Sequence, residues 1–116
     1  MSTKECVESY LSAFFGERID LAKIRTLIAD DFTFMGPLMT ADSADDYIQK
    51  LQAFGENARM QAEIQHILIE GETAVARYDF IMPNGRVPAS EWYRVKDNKL
   101  VSMQLTCDPR SFLPPT

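Results

Sequence analysis

The apolar pattern of this chain changes period once, near Gln61, and that single change bounds the fold. Before it, apolar residues recur at helical spacing. Val7, Tyr10, Leu11 and Phe14 fall at i, i+3, i+4 and i+7, one face of a helix. Ser2 and Glu5 spell the S-x-x-E capping box that opens this helix, and Gly16 supplies a stop. A second, shorter helix follows Asp20, with Leu21, Ile24, Leu27 and Ile28 apolar. Asp31 to Met35 is strand-like and ends at Gly36-Pro37. Ser43 caps a third helix whose apolar face is Ala44, Tyr47, Ile48 and Leu51. Asp45 and Asp46 suit its positive end, and Gly55 closes it.

Beyond Gln61 the period is two. Strands are expected near 61–69, 73–82, 87–95 and 99–107, with turns at Glu70-Gly71-Glu72, Asn84-Gly85 and Asp97-Asn98. Asn-Gly is a strong hairpin signal. Helices first and an antiparallel meander second is the order of an α+β fold with helices packed on one face of a sheet. The tail from Pro109 to Thr116 holds three prolines and is expected to be irregular. A length of 116 residues suits one domain, 1–116.

The charge balance narrows the function. Lys and Arg number 12 against 17 Asp and Glu, a net charge of −5 with no basic cluster. Nucleic acid and anionic membrane surfaces are therefore poor partners. No apolar run is long enough to span a bilayer. The start MSTKECVESY lacks the basic and apolar stretches of a signal peptide. Cys6 and Cys107 read as reduced thiols that behave as small apolar side chains. Together these point to a cytoplasmic protein. One His and two Cys without ligand spacing give no metal set, and five scattered glycines give no nucleotide loop, so no cofactor is expected.

Arg77 and Asp79 stand out within ARYDFIM. In a strand, residues i and i+2 point the same way, so the two charges share a face with Val75 and Ile81. Charges on an apolar face are paired, hydrogen-bonded or used. In the preceding strand, Glu63 and Gln65 mark the wet side, which turns Ala62, Ile64, His66 and Leu68 inward. A short turn at 71–72 then sets His66 opposite Arg77 and Ile64 opposite Asp79. His66, Arg77 and Asp79 thus form one candidate cluster. It is either a structural ion pair beside a structural histidine, or an Asp base oriented by Arg with His66 as a proton carrier.

The chain resembles nuclear transport factor 2-like domains of the SnoaL-like and ketosteroid isomerase-like type over nearly its whole length. The likeness rests on three helices, then LIADDFTFMGP, then a meander ending in KLVSMQL. It implies a cone-shaped, curved antiparallel sheet with the three helices on its concave face, enclosing a pocket. Ketosteroid isomerases are similar at SYLSAF, LIADDFTFMGP and SEWYRVKDNKLVSM. In them a first-helix Tyr and a sheet carboxylic acid form the oxyanion hole, and an Asp before the Pro is the base. Tyr10 and Glu91 stand at the first two positions, whereas Gly36 stands at the third.

Limonene epoxide hydrolases carry an Arg-x-Asp in the central strand, matched by Arg77-Tyr78-Asp79, and a similar turn at Pro83 to Arg86. Their last-strand Asp corresponds to Leu105, and the Asn and Tyr that hold the water correspond to Gly36 and Phe34. The polyketide cyclase branch uses acid–base residues in the same cavity. The residue pattern and the resemblance together give the catalytic candidates Asp79, Arg77, His66, Glu91 and Tyr10. It places Phe14, Phe34, Tyr47 and Leu51 on the substrate-binding walls, with Tyr93, Met103, Leu105 and Cys107.

A tight Asn84-Gly85 turn puts Ser90 and Trp92, rather than Glu91 and Tyr93, on the face of Arg77 and Asp79. A bulge near Pro88 is expected to reconcile this with an inward Glu91; without it Trp92 would enter the site instead. Three function classes stay open. The first is an isomerase, hydrolase or cyclase acting by acid–base chemistry on a small apolar, oxygen-bearing substrate. The second is a ligand-binding protein with an incomplete site. The third is an interaction domain. The resemblance implies a homodimer through the outer sheet face, where Trp92 and Arg94 would serve.

Overall fold

The capping box at Ser2 forms as expected: its hydroxyl accepts from the Glu5 backbone N–H, and the Glu5 carboxylate accepts from the Ser2 N–H. In a computed structural model that describes residues 1–55 and 59–113, this cap opens α1 (Thr3–Phe14). Asp20 caps α2 (Leu21–Leu27) through the Lys23 N–H. The chain continues through β1 (Ile28–Met35), β2 (Thr40–Ala41) and α3 (Ala44–Gly55). Then follow β3 (Ala62–Glu70), β4 (Thr73–Met82), β5 (Gly85–Lys96) and β6 (Lys99–Cys107). Ser43 caps α3 by accepting from the Asp46 N–H.

The strands form one six-stranded sheet in the order β2-β1-β6-β5-β4-β3. Strands β3 to β6 are the antiparallel meander read from the sequence. The sheet as a whole is mixed, because β1 lies parallel to β6. That corrects the expectation of an antiparallel sheet. A strand that enters from α2 and leaves towards α3 has no hairpin link to β6, so nothing local sets its direction. Ile28 opens β1 instead of ending α2. The tight turn of the β4–β5 hairpin is Pro83-Asn84, one residue earlier than expected. The turn at Asp97-Asn98 has positive φ at both residues, the geometry of a primed hairpin turn. Pro109–Phe112 forms a 3-10 turn where irregular chain was expected, and residues 114–116 of the tail lie outside the described residues.

The three helices cover one face of the sheet. Val7, Tyr10 and Leu11 of α1, Ile24 of α2 and Tyr47 and Leu51 of α3 are buried there. Against them lie Ala74, Ala76, Tyr78 and Phe80 of β4, Ala89 and Tyr93 of β5, and Met103 of β6. Among the described residues, no helix is long and apolar enough to cross a membrane.

Candidate functional site

Strand β4 is buried at Ala74, Ala76, Tyr78 and Phe80, so its even-numbered residues face the helices. Arg77 and Asp79 therefore leave through the other face. The β4–β5 register runs unbroken from Thr73–Arg94 to Met82–Gly85, with Arg77 opposite Ser90 and Ala76 opposite Glu91. Directly opposed residues share a face, so Glu91 and Tyr93 point under the helices while Ser90 and Trp92 point away. Trp92 is 52% exposed. The expected bulge at Pro88 is absent because it is not needed. The parity derived from the turn holds, and the error lies in which face Arg77 and Asp79 occupy. Val75 and Ile81 misled because β4 carries apolar side chains on its outer face as well as its inner one.

On the uncovered face the two charges are satisfied structurally. Arg77 Nη1 donates to Asp79 Oδ1 at 2.8 Å and to the Tyr78 carbonyl at 2.7 Å. Gln65 Nε2 donates to Asp79 Oδ2 at 2.9 Å. Arg86 Nη1 lies 3.6 Å from that oxygen and 3.1 Å from Glu63 Oε2. The hydrogen bond from Arg77 holds the Asp79 carboxyl below its usual range against a smaller opposing effect of burial. A carboxylate so paired is a poor base.

His66 does pair with Arg77 as expected, and it is exposed on the same outer face. Between Ile64 and His66 the β3–β4 register slips by one residue. That bulge puts Ile64 opposite Tyr78, on the helix side, and leaves His66 and Leu68 on the outside. The expectation that His66, Arg77 and Asp79 line the pocket is corrected for all three.

The cavity lies between the helices and the inner sheet face, with a volume of about 90 Å³. Of the walls expected from the sequence, Tyr10, Phe14, Phe34, Tyr47, Leu51, Leu105 and Cys107 line it, together with Glu91. Tyr93 and Met103 are buried but sit outside the lining. Sequence reasoning missed Tyr78 and Phe80, although their alternation with Arg77 and Asp79 carried the signal. It also missed the rim, formed by Leu38, Phe54, Met60 and Phe112. Two small residues make room: Ala76 directly opposes Glu91, and Ala74 opposes Tyr93.

Glu91 is the one carboxyl among the described lining residues, and no Lys, Arg or His joins it. It is 4% exposed. Tyr93 Oη donates to Glu91 Oε1 at 2.6 Å. Burial pushes the carboxyl up to about 7, against the opposing hydrogen bonds from Tyr93 and Tyr78. The Tyr10 and Tyr47 hydroxyls meet each other at 2.6 Å. All four tyrosines of the chain thus gather around this carboxyl, each pushed up first by burial, with the charge of Glu91 adding to the shift. They stay protonated and serve as hydrogen-bond donors. Burial also raises the Cys107 thiol, so it lines the cavity as an apolar neighbour.

Among the described lining residues, Glu91 is the group able to gain or lose a proton near neutrality, set in an apolar and aromatic wall. Among the described residues, no three His, Cys, Asp or Glu side chains are grouped to hold a metal ion. Residues 7–103 match the family model of the SnoaL-like domain. No curated protein matches the chain. Among solved structures it is similar to a nuclear transport factor 2-like protein of unknown function from Cytophaga hutchinsonii. That pair has TM-score 0.80 at 20% identity, over 97% of this chain and 95% of that one. A nuclear transport factor 2-like protein of unknown function from Mesorhizobium loti gives 0.78 at 18%, over 91% and 90%. An LEH-like epoxide hydrolase from M. tuberculosis gives 0.76 at 16%, over 94% and 84%. At these identities the similarity speaks to the fold alone.

Proposed function

We propose that this chain, which belongs to the SnoaL-like domain family, binds a small, largely apolar molecule whose single polar atom meets Glu91. Glu91 is then the proton-exchanging group. The observation that carries this is the burial of one carboxyl, ringed by four tyrosines, at the wall of an otherwise apolar cavity. Near pH 7 the carboxyl populates both forms. The acid donates to a ligand atom that gains electron density, and the carboxylate takes a proton from an adjacent carbon. Isomerisation, hydrolysis and cyclisation all use such steps.

Proton exchange on 2-butanone in D₂O, followed by NMR, tests the assignment. Exchange of its α-protons above the buffer rate is expected with the wild-type protein, lost in Glu91→Gln and kept in Asp79→Asn. If 2-butanone binds but exchanges only at the buffer rate, the chain is a binding protein without chemistry. Kept exchange in Glu91→Gln removes Glu91 from the role.

A second reading concerns the uncovered sheet face. Leu68, Val75, Trp92, Gln104 and Met35 align in register across β3, β4, β5, β6 and β1. Leu68, Trp92 and Met35 are 66%, 52% and 57% exposed. A largely exposed row of this kind, with half-buried Val75 within it, suits a protein partner, and a second copy would place the same row against itself. Sedimentation is expected to show a dimer that Trp92→Glu dissociates; a wild-type monomer argues against it.

A further inference from the structure

The cavity has an unusual pairing of features that the proton-exchange role leaves unused. Eight of its described lining residues are aromatic: four phenylalanines besides Phe54, and three tyrosines. Among the described lining residues Glu91 is the one carboxyl, and none is cationic. Phe34 and Tyr47 pack at 5.0 Å between ring centroids and Tyr10 and Phe14 at 6.0 Å, so the rings form continuous walls rather than isolated contacts. Aromatic faces attract cations, most strongly where water is excluded. A buried carboxyl gains most from a partner of opposite charge. An anionic ligand would meet only repulsion here. A volume of about 90 Å³ is also well below the roughly 150 Å³ of an apolar cavity that holds benzene.

From this geometry we propose that the cavity takes a compact aliphatic amine, held as its ammonium ion between the aromatic walls and the Glu91 carboxylate. The inference rests on the cavity being a ligand site, as proposed above. The amine enters as the neutral free base, which crosses the apolar rim of Leu38 and Phe54 without carrying a charge out of water. Its nitrogen lone pair then takes the proton of the Glu91 carboxyl. One O–H bond breaks, one N–H bond forms, and the charges created face each other. The carboxylate left behind keeps the hydrogen bond from Tyr93. The titratable groups around Glu91 are Tyr10 on α1, Tyr47 on α3, Tyr78 on β4, Tyr93 on β5 and Cys107 on β6. All are held in their neutral forms by burial, so Glu91 alone sets the pH dependence between 5.5 and 8.

NMR titration of the whole chain with trimethylamine hydrochloride, with tert-butanol as a neutral probe of the same shape, tests this. At pH 8 the amine is expected to bind about tenfold more tightly than tert-butanol, the effect of adding ion pairing and cation–π attraction to equal apolar contact. That preference is expected to vanish at pH 5.5 in the wild-type chain and at both pH values in Glu91→Gln. The pH comparison stands even if the variant fails to fold. Equal binding of the two probes at pH 8, or binding of tert-butanol alone, overturns the amine assignment and leaves the ligand site intact. Binding of neither probe overturns both.

Discussion

Asp79 and Glu91 lie on neighbouring strands and point through opposite faces of the sheet: Asp79 opposes Pro88, whereas Glu91 opposes Ala76. One carboxyl is pulled down by a guanidinium on the open face, and the other is pushed up by burial under the helices. Two acids of similar chemistry are thereby given opposite tasks by strand parity.

For Asp79 the consequence is structural. Its folded value is held below the ordinary Asp value of about 3.9, chiefly by the Arg77 hydrogen bond. A depressed acid contributes stability that is present above its unfolded value and is lost as pH falls through the folded one. Asp79→Asn is expected to lower Tm by a few degrees at pH 7 and to make little difference at pH 2. Binding of 2-butanone should be unchanged. Thermal unfolding at the two pH values checks the first statement, and weakened binding would contradict the second.

Glu91 carries the opposite sign. Its folded value of about 7 lies above the 4.5 of an unperturbed glutamate. Between these values the folded state binds more protons than the unfolded one, so stability falls as pH rises and levels off above about 7. The total loss is roughly 3 kcal/mol for a shift of this size. Glu91→Gln keeps an acceptor for Tyr93 and has no charge to bury. The variant is therefore expected to gain on the wild-type protein by that amount between pH 4.5 and pH 8. Urea unfolding across the range measures it, and a constant difference between the two proteins would be the contrary result.

The order of elements was legible in the sequence because the helical segments and the meander each repeat at one period over many residues. The turn alone carried the parity of β5 against β4, since moving it from Asn84-Gly85 to Pro83-Asn84 leaves odd against even unchanged, but the expected bulge at Pro88 overrode that signal and is absent. What the sequence hid was the absolute face. Leu68, Val75, Ile81 and Trp92 put apolar side chains on the outer surface beside the charges, so alternation in β4 could not say which side the helices cover. The slip at Gln65 in β3 then reversed His66 and Leu68 relative to Ile64. The parallel pairing of β1 with β6 joins strands far apart in the chain, and no turn announces it. Tyr10 and Glu91 were found through resemblance, whereas Tyr78 was passed over between the two charges that drew attention.

The paired hydroxyls of Tyr10 and Tyr47 give a test of the buried polar network. Removing one, in Tyr10→Phe, leaves the other without its 2.6 Å partner. A buried hydroxyl left unpaired costs about 1–3 kcal/mol. Removing both leaves no orphan, so the double variant Tyr10→Phe/Tyr47→Phe is expected to lose less than the sum of the single losses. A double-mutant cycle by urea unfolding reads the coupling, and strict additivity would show that the contact contributes nothing.

Gly36 occupies the position where the resembling isomerases carry their base, and the structure explains why a side chain is poorly tolerated there. A Cβ on Gly36 would sit 2.8 and 2.9 Å from Cε2 and Cζ of Phe34. The Phe34 ring in turn packs on Tyr47 at 5.0 Å between centroids, and both line the cavity. A ring displaced from Gly36 moves against that partner and into a space of only about 90 Å³. Gly36→Ala is therefore expected to weaken binding of tert-butanol about tenfold and to cost about 1–3 kcal/mol of stability, the range for an overpacked core. Gly36→Asp meets the same ring before its carboxylate reaches any ligand, so it should fail to raise proton exchange on 2-butanone. Unchanged binding in Gly36→Ala would mean that Phe34 swings outward instead of inward.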